Sequence, residues 1–479
     1  MAIVLGALLA VALGPAAPLP AQTRVSKEAP PVRASGSVAH AALVARLDSL
    51  AVAFLAEAPA VGLTIGVVRG QDTLALRGYG FADRERRRPA AVGTVYRVGS
   101  ITKQFTAAAI LQLVDQGSLA LDDPLTRFLP HYPQWRAVTI RQLLNHTSGV
   151  HSYTSVPTWA ARMGDELPPD TVLGFVARDT FDFAPGTSFR YNNSGYVLLG
   201  LVLERVTGRP YGELLAERFF APLGMRSATY CPTATTDTAY ATGYDKLGQA
   251  VANARPISMS SPYAAGALCM SVPDFLAWQT ALGAGRVLRP ATYAAMTTPG
   301  TLADGKPMRY AFGLAPDTLA GRTMIQHGGD IPGGSAQQLW FPQDSLRVVV
   351  FTNTLGSTPD RLARNLARAV LGRPPVAPPR VPTAVPLAPE RRALLLGTYD
   401  LRLPDGGTLT MTLTAASTGD GVIAQAAGQA AIPLIHAGSD TFGAAFDPTL
   451  RLTVVVEDGR AVRLVLRQGG GTLEGARRP

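Results

Sequence analysis

Ser100 and Lys103 stand three residues apart in the stretch Gly99-Ser100-Ile101-Thr102-Lys103. The chain has only four lysines, and this is its only Ser-x-x-Lys. On a helix, positions i and i+3 share a face, so the lysine amine can reach the serine hydroxyl. A lysine acts as a base only when it is neutral, which takes burial or a nearby positive group. Phe105, Ala107 and Ile110 supply apolar surroundings. A serine where a helix begins also directs its own N–H towards a developing oxyanion. The chemistry that follows is attack by an activated serine hydroxyl.

Two further clusters fit that chemistry. Tyr191-Asn192-Asn193 can present a phenol and an amide from one tight loop. A tyrosine whose pKa a lysine lowers can accept the serine proton, and the amide of Asn193 can orient the lysine or a substrate carbonyl. His327-Gly328-Gly329-Asp330 ends a strand in glycines, which lets backbone approach a substrate closely. The N–H of Asp330 is the natural second member of an oxyanion hole, beside the N–H of Ser100. Each cluster alone also reads as ordinary capping or turn chemistry; their combination carries the argument. Gly-x-Ser-x-Gly is absent, which excludes the nucleophile elbow of α/β-hydrolases, and His-Glu-x-x-His is absent, which excludes a zincin. His40, His131, His151 and His436 lack convincing partners, and His146 reads as part of a turn. The expected chemistry needs no metal and no cofactor.

The elements that must hold these clusters are legible from apolar periodicity. Helices are expected over Val38 to Ala56, Ser100 to Gln116, Ile140 to Asn145, Asp170 to Arg178, Tyr196 to Thr207, Tyr211 to Phe220, Val272 to Leu282 and Pro359 to Leu371. Gly62 to Arg69 and Asp72 to Tyr79, joined by Gly70-Gln71, form a hairpin. Thr323 to His327, Ser335 to Phe341 and Leu346 to Thr352 are three strands in series. This order predicts one antiparallel sheet built from both ends of a domain around a helical insert, an α/β (α+β) fold. After a proline-rich linker at 373–389, short alternating runs with Gly and Asp turns predict a small all-β barrel or sandwich over 390–479.

Ile3 to Leu13 form an apolar run of signal-peptide length, with cleavage expected after Ala21 and a flexible leader over 22–37. The serine-bearing domain then spans 38–372. This predicts export, to the periplasm or the medium. No later stretch is long and apolar enough for a transmembrane helix. In an oxidising compartment Cys231 and Cys269 can form one disulfide. The net charge of +10 comes from scattered arginines, which points to no nucleic-acid partner.

Taken in order, Ser100-x-x-Lys103, Tyr191-x-Asn193 and His327-Gly-Gly resemble the serine β-lactamase and penicillin-binding-protein superfamily, on its class C-like branch. That branch includes esterases, D-aminopeptidases and D,D-carboxypeptidases. The phrases Leu143-Leu-Asn-His-Thr-Ser-Gly149 and Pro222-Leu-Gly-Met225 support the resemblance, which covers roughly residues 40–372. It implies that Ser100 is acylated, that Lys103 and Tyr191 share the base role, that Asn193 orients, and that His327, Gly328 and Gly329 take the strand where β-lactamases carry Lys-Thr-Gly. The missing Lys-Thr-Gly turns the expectation from β-lactams towards small ester, amide or peptide substrates. The rival expectation is a non-hydrolytic relative that senses penicillins or cell-wall peptides.

Overall fold

The computed structural model describes residues 38–177, 181–247, 250–377, 380–403, 407–417, 419, 421–427, 431–445, 447–468 and 471–479. The expected export signal and leader therefore lie outside the described residues. The chain forms two compact units, divided at Val376/Ala377.

In the first unit, helix α1 (Val38–Glu57) leads into strands β1 (Gly62–Arg69), β2 (Asp72–Asp83) and β3 (Arg88–Pro89). Helices α2 (Thr102–Asp115), α3 (Asn193–Thr207) and α4 (Val272–Gly283) dominate the middle. Strands β4 (Ala315–Leu319), β5 (Arg322–Ile331), β6 (Gly334–Phe341) and β7 (Leu346–Thr352) then precede helix α5 (Pro359–Val370). The seven strands make one antiparallel sheet in the order β3-β2-β1-β7-β6-β5-β4. The expected architecture, a sheet closed by both ends of the domain, is the observed one.

Period-two alternation explains how this sheet is covered on both faces. On β7, Leu346, Val348 and Val350 pack with Leu47, Ala51 and Phe54 of α1 and Leu362 and Leu366 of α5. Val349 and Phe351 point the other way, into the cluster that holds Val272 and Phe275 of α4. On β1, Gly66 faces α4 so closely that a Cβ there would lie 2.6 Å from a Val272 methyl. Helix α2 is central: Phe105 stacks on Trp278 at 4.1 Å, and the indole N–H of Trp278 donates to Gln104 at 2.8 Å. The helix expected to start at Ser100 begins instead as a 3-10 turn over Gly99–Ile101. The helix expected over Tyr211 to Phe220 is α-helical only to Leu215, and Ala216–Phe220 widens into a π-turn.

The second unit is a closed barrel of eight strands, Gly397–Arg402, Thr408–Ala415, Val422–Ala426, Ile432–His436, Thr441–Gly443, Arg451–Glu457, Arg460–Gln468 and Gly471–Arg477, paired in sequence order with the last against the first. Alternate residues fill it, among them Tyr399, Leu401, Met411, Leu413, Phe442, Leu452, Val454, Leu464 and Leu466. Between barrel and sandwich, the barrel is what forms.

Candidate active site

Ser100 is held where three segments meet. Gly99 has φ +52°, a left-handed conformation that suits glycine. The preceding strand Tyr96–Arg97 pairs with Leu268–Met270, and the N–H of Val98 donates to Leu268 O at 3.0 Å. On the other side runs β5. Its pairing with β4 ends at Gln326, so the edge from His327 onward is free to lie along the serine turn. A Cβ added to Gly329 would stand 2.0 Å from Val98 O and 3.0 Å from Ser100 N; one added to Gly99 would stand 3.0 Å from Asp330 N. Only glycines allow these two backbones to approach so closely, and the approach brings the N–H groups of Ser100 and Asp330 together.

Lys103 is completely buried (0% exposed). Its Nζ lies 3.0 Å from Ser100 Oγ, 2.8 Å from Asn193 Oδ1 and 2.8 Å from the carbonyl oxygen of Ala265. Burial holds its pKa well below the ordinary lysine value. A neutral amine has two N–H bonds and one lone pair. Ala265 O can only accept. Asn193 presents its oxygen to the lysine because its Nδ2 donates to Thr154 Oγ1 at 3.1 Å. Both N–H bonds are thus committed, and the lone pair is left facing the Ser100 hydroxyl.

Tyr191 sits beside this pair, with Lys103 Nζ 4.8 Å from its ring centroid. Its hydroxyl is buried and completes no hydrogen bond among the described residues. Burial raises its pKa, the Asp330 charge raises it further, and the neighbouring Ser100 hydroxyl offsets only part of this. The expectation of a lysine-lowered tyrosine is corrected here: a neutral Lys103 supplies no positive charge, so the resting side chain is a phenol.

The tyrosine loop is docked by the segment after Leu144. Asn192 caps α3 by accepting from Gly195 N at 2.7 Å, and its own N–H donates to His146 Nδ1 at 3.1 Å. Asn193 N–H donates to Ser152 Oγ at 3.2 Å. The His146 ring lies 4.4 Å from that of Tyr191 and 4.6 Å from that of Tyr310. His146 is therefore a positioning residue for Tyr191, beyond the turn role read from sequence; the Asn-His-Thr-Ser-Gly phrase was its one signal. Tyr310, Thr154 and the Ala265 carbonyl carried none.

His327 is buried, its Nδ1 2.5 Å from Gly328 O and its Nε2 2.8 Å from the Tyr310 hydroxyl. The carbonyl must accept, so Nδ1 carries the proton and Nε2 accepts from Tyr310. Burial, with the Lys103 charge when present, lowers its pKa to about 4. At neutral pH it is an uncharged scaffold for Tyr310, and both its nitrogens are occupied within the protein. Burial likewise keeps His146 well below the ordinary value. Unfolding frees both rings to titrate near 6.5. Below that pH the unfolded chain binds protons that the folded chain refuses, so stability should fall from pH 6.5 to 5, by about 1 kcal/mol per pH unit per histidine. Denaturant midpoints across this window test it; a flat profile would contradict it.

Cys231 and Cys269 are joined in a disulfide, their Cα atoms 5.1 Å apart. Cys269 pairs with Arg97 on one side and Thr229 on the other, so the bond ties the strand behind Ser100 to its neighbour. No described helix is long and apolar enough to cross a membrane.

A family model described as Beta-lactamase matches residues 47–373. A D-aminopeptidase of Brucella canis is 32% identical over 67% of this chain and 61% of its own length, so the chain spans about three fifths of that relative. Among solved structures, the octameric penicillin-binding protein homologue from Pyrococcus abyssi matches with a TM-score of 0.63 and 26% identity, over 90% of this chain and 99% of that one. The D-stereospecific amidohydrolase from Streptomyces sp. matches with a TM-score of 0.59 and 30% identity, over 69% of this chain and 98% of that one.

Proposed function

This chain belongs to the beta-lactamase family, and we propose that it hydrolyses amide or ester bonds through an acyl-enzyme on Ser100. The observation that carries this is the buried Lys103 amine 3.0 Å from Ser100 Oγ, with acceptors from Asn193 and Ala265 on its other sides. In acylation, Lys103 takes the serine proton while Oγ attacks the substrate carbonyl. The N–H groups of Ser100 and Asp330 hold the oxyanion. The Tyr191 phenol gives its proton to the leaving nitrogen or oxygen and is reprotonated by the Lys103 ammonium, so the carbon–heteroatom bond breaks without a charged leaving group. Water then attacks the acyl ester, the same groups run in reverse, and Ser100 is released with the carboxylic acid.

The relatives named D-aminopeptidase and D-stereospecific amidohydrolase support amides and peptides of D-amino acids as the substrate class. The neutral His327, in place of a lysine, supports a site less suited to β-lactams. The disulfide supports an exported, oxidising location.

Intact-mass measurement after rapid quenching tests the reading. An activated ester should leave a transient acyl group on the Ser100 peptide, followed by release. An adduct that never turns over with esters, amides or β-lactams would favour the penicillin-sensing alternative.

A further inference from the structure

We propose that the protein carries a second binding site, separate from Ser100, for a small organic cation of the alkylated or quaternary ammonium class. The site is a cleft of about 510 Å³ where the end of α3 meets the segment Tyr211–Phe220, the strand Thr229–Tyr230 and the short helix Tyr263–Gly266.

Its lining is aromatic and acidic: Tyr211, Phe220, Tyr230 and Tyr263, with Glu204 and Glu213. The three tyrosines form one group. The rings of Tyr211 and Tyr263 lie 5.1 Å apart, and that of Tyr230 lies 6.4 Å from each, turned by 78° and 60°. Tyr230 is thus a wall set steeply against the other two. Two of the hydroxyls are tied elsewhere in the protein: that of Tyr211 shares a hydrogen bond of 2.7 Å with Thr106, and that of Tyr230 donates to Met259 O at 2.8 Å. The Tyr263 side chain is buried, yet its hydroxyl completes no hydrogen bond among the described residues. The backbone is irregular here as well, since the π-turn Ala216–Phe220 supplies two of the lining residues.

The two carboxylates differ in how their charge is met. Glu213 pairs with Arg209 at 3.3 Å. Glu204 has no ion-pair partner among the described residues, and one of its oxygens is fixed by the Tyr211 N–H at 2.7 Å. It stands in the last turn of α3, where the helix dipole is negative. Burial, and then the Glu204 charge, push the Tyr263 pKa up, so that phenol stays neutral. No lysine or arginine lines the cleft among the described residues. Negative ring faces beside an unbalanced carboxylate suit a positive charge wrapped in alkyl groups. A bare divalent ion needs several oxygen ligands and would find few here, and an anion would be repelled.

The bland alternative is that Glu204 only caps the Tyr211 N–H and the rings are core. Glu204→Gln separates the two, because it keeps the acceptor and removes the charge. Calorimetric titration with choline and with its neutral isostere 3,3-dimethylbutan-1-ol, at about 0.15 M salt, is the readout. The wild type should bind choline at least about tenfold more tightly than the alcohol. Glu204→Gln should weaken choline about tenfold and leave the alcohol unmoved, with the thermal midpoint nearly unchanged. Tyr230→Leu should weaken choline by about five- to thirtyfold, and Glu204→Gln carries the test if that variant does not fold. Ser100→Ala should bind choline as the wild type does. No saturable choline binding, equal affinity for the two compounds, an affinity that Glu204→Gln leaves unmoved, or binding lost in Ser100→Ala overturns the proposal.

Discussion

Replacing Ser100 by alanine should lower hydrolysis of a p-nitrophenyl ester by about a millionfold, to the residue of catalysis that a bare oxyanion site supports. The size follows from the absence of any substitute. Lys103 Nζ has its lone pair on the serine hydroxyl and its N–H bonds on Asn193 and Ala265, so it has no second nucleophile to activate. The fold should barely notice. Among the described residues, the side-chain hydrogen bond lost is the one to Lys103, and the turn keeps its glycine and its backbone contacts. A thermal midpoint consistent with a change of about 1 kcal/mol or less would accompany the inactivity. Ester turnover at wild-type rate in this variant would sink the assignment.

Lys103 should show the second-largest effect. Lys103→Met keeps the length and apolar stem but removes the base, and kcat/KM should drop by about a thousand- to ten-thousandfold. It also leaves Ala265 O and Asn193 Oδ1 without their donor, at about 1–3 kcal/mol for a buried acceptor. Lys103→Arg is the sharper test. A guanidinium can donate hydrogen bonds but stays charged at every working pH, so it cannot accept the serine proton. It should be as inactive as the methionine variant. In the wild type, activity should be present at neutral pH because burial lowers the Lys103 pKa, and should be lost as pH falls through that lowered value and the amine is protonated. An active arginine variant would show that the amine only positions the serine.

Much of this arrangement could be read before any coordinates. Ser100 and Lys103 are three apart, and helix geometry alone puts them on one face. The Tyr191 cluster precedes an apolar periodic run, and the structure starts α3 at Asn193, three residues before the apolar pattern sets in, because Asn192 caps it. That shift puts Asn193 in the first turn, aimed at Lys103. Other parts had no side-chain signature to find. The acceptor that fixes the lysine lone pair is a backbone carbonyl, which any residue in place of Ala265 would offer. The resting state of Tyr191 depends on how deeply the fold buries it, so spacing suggested the wrong direction for its pKa. Three barrel strands carry little local signal for a similar reason. Thr441–Gly443 has only three residues, and Gly471–Arg477 is Gly-Thr-Leu-Glu-Gly-Ala-Arg, which lacks β-branched alternation. Gly397–Arg402 follows directly on the short helix Pro389–Leu395. Pairing with neighbours, more than local preference, makes these segments strands.

The junction of β1 with β7 also bears on how the molecule is made. Leu63 pairs with Thr352, and the N–H of Gly62 donates to Asn353 Oδ1, 291 positions along the chain. A nascent chain presents the β1–β2 hairpin early, but at translation speeds of about 5–20 residues per second its partner emerges tens of seconds later. Until then the free edge of β1, with Leu63, Ile65 and Val67 uncovered, is a template for pairing with other chains. Assembly of the sheet is thus a late, non-local step, slow for its contact order. Chains cut short before Leu346 should enter inclusion bodies even when every residue around Ser100 is intact, so the yield of active protein is set at this seam as much as at the site.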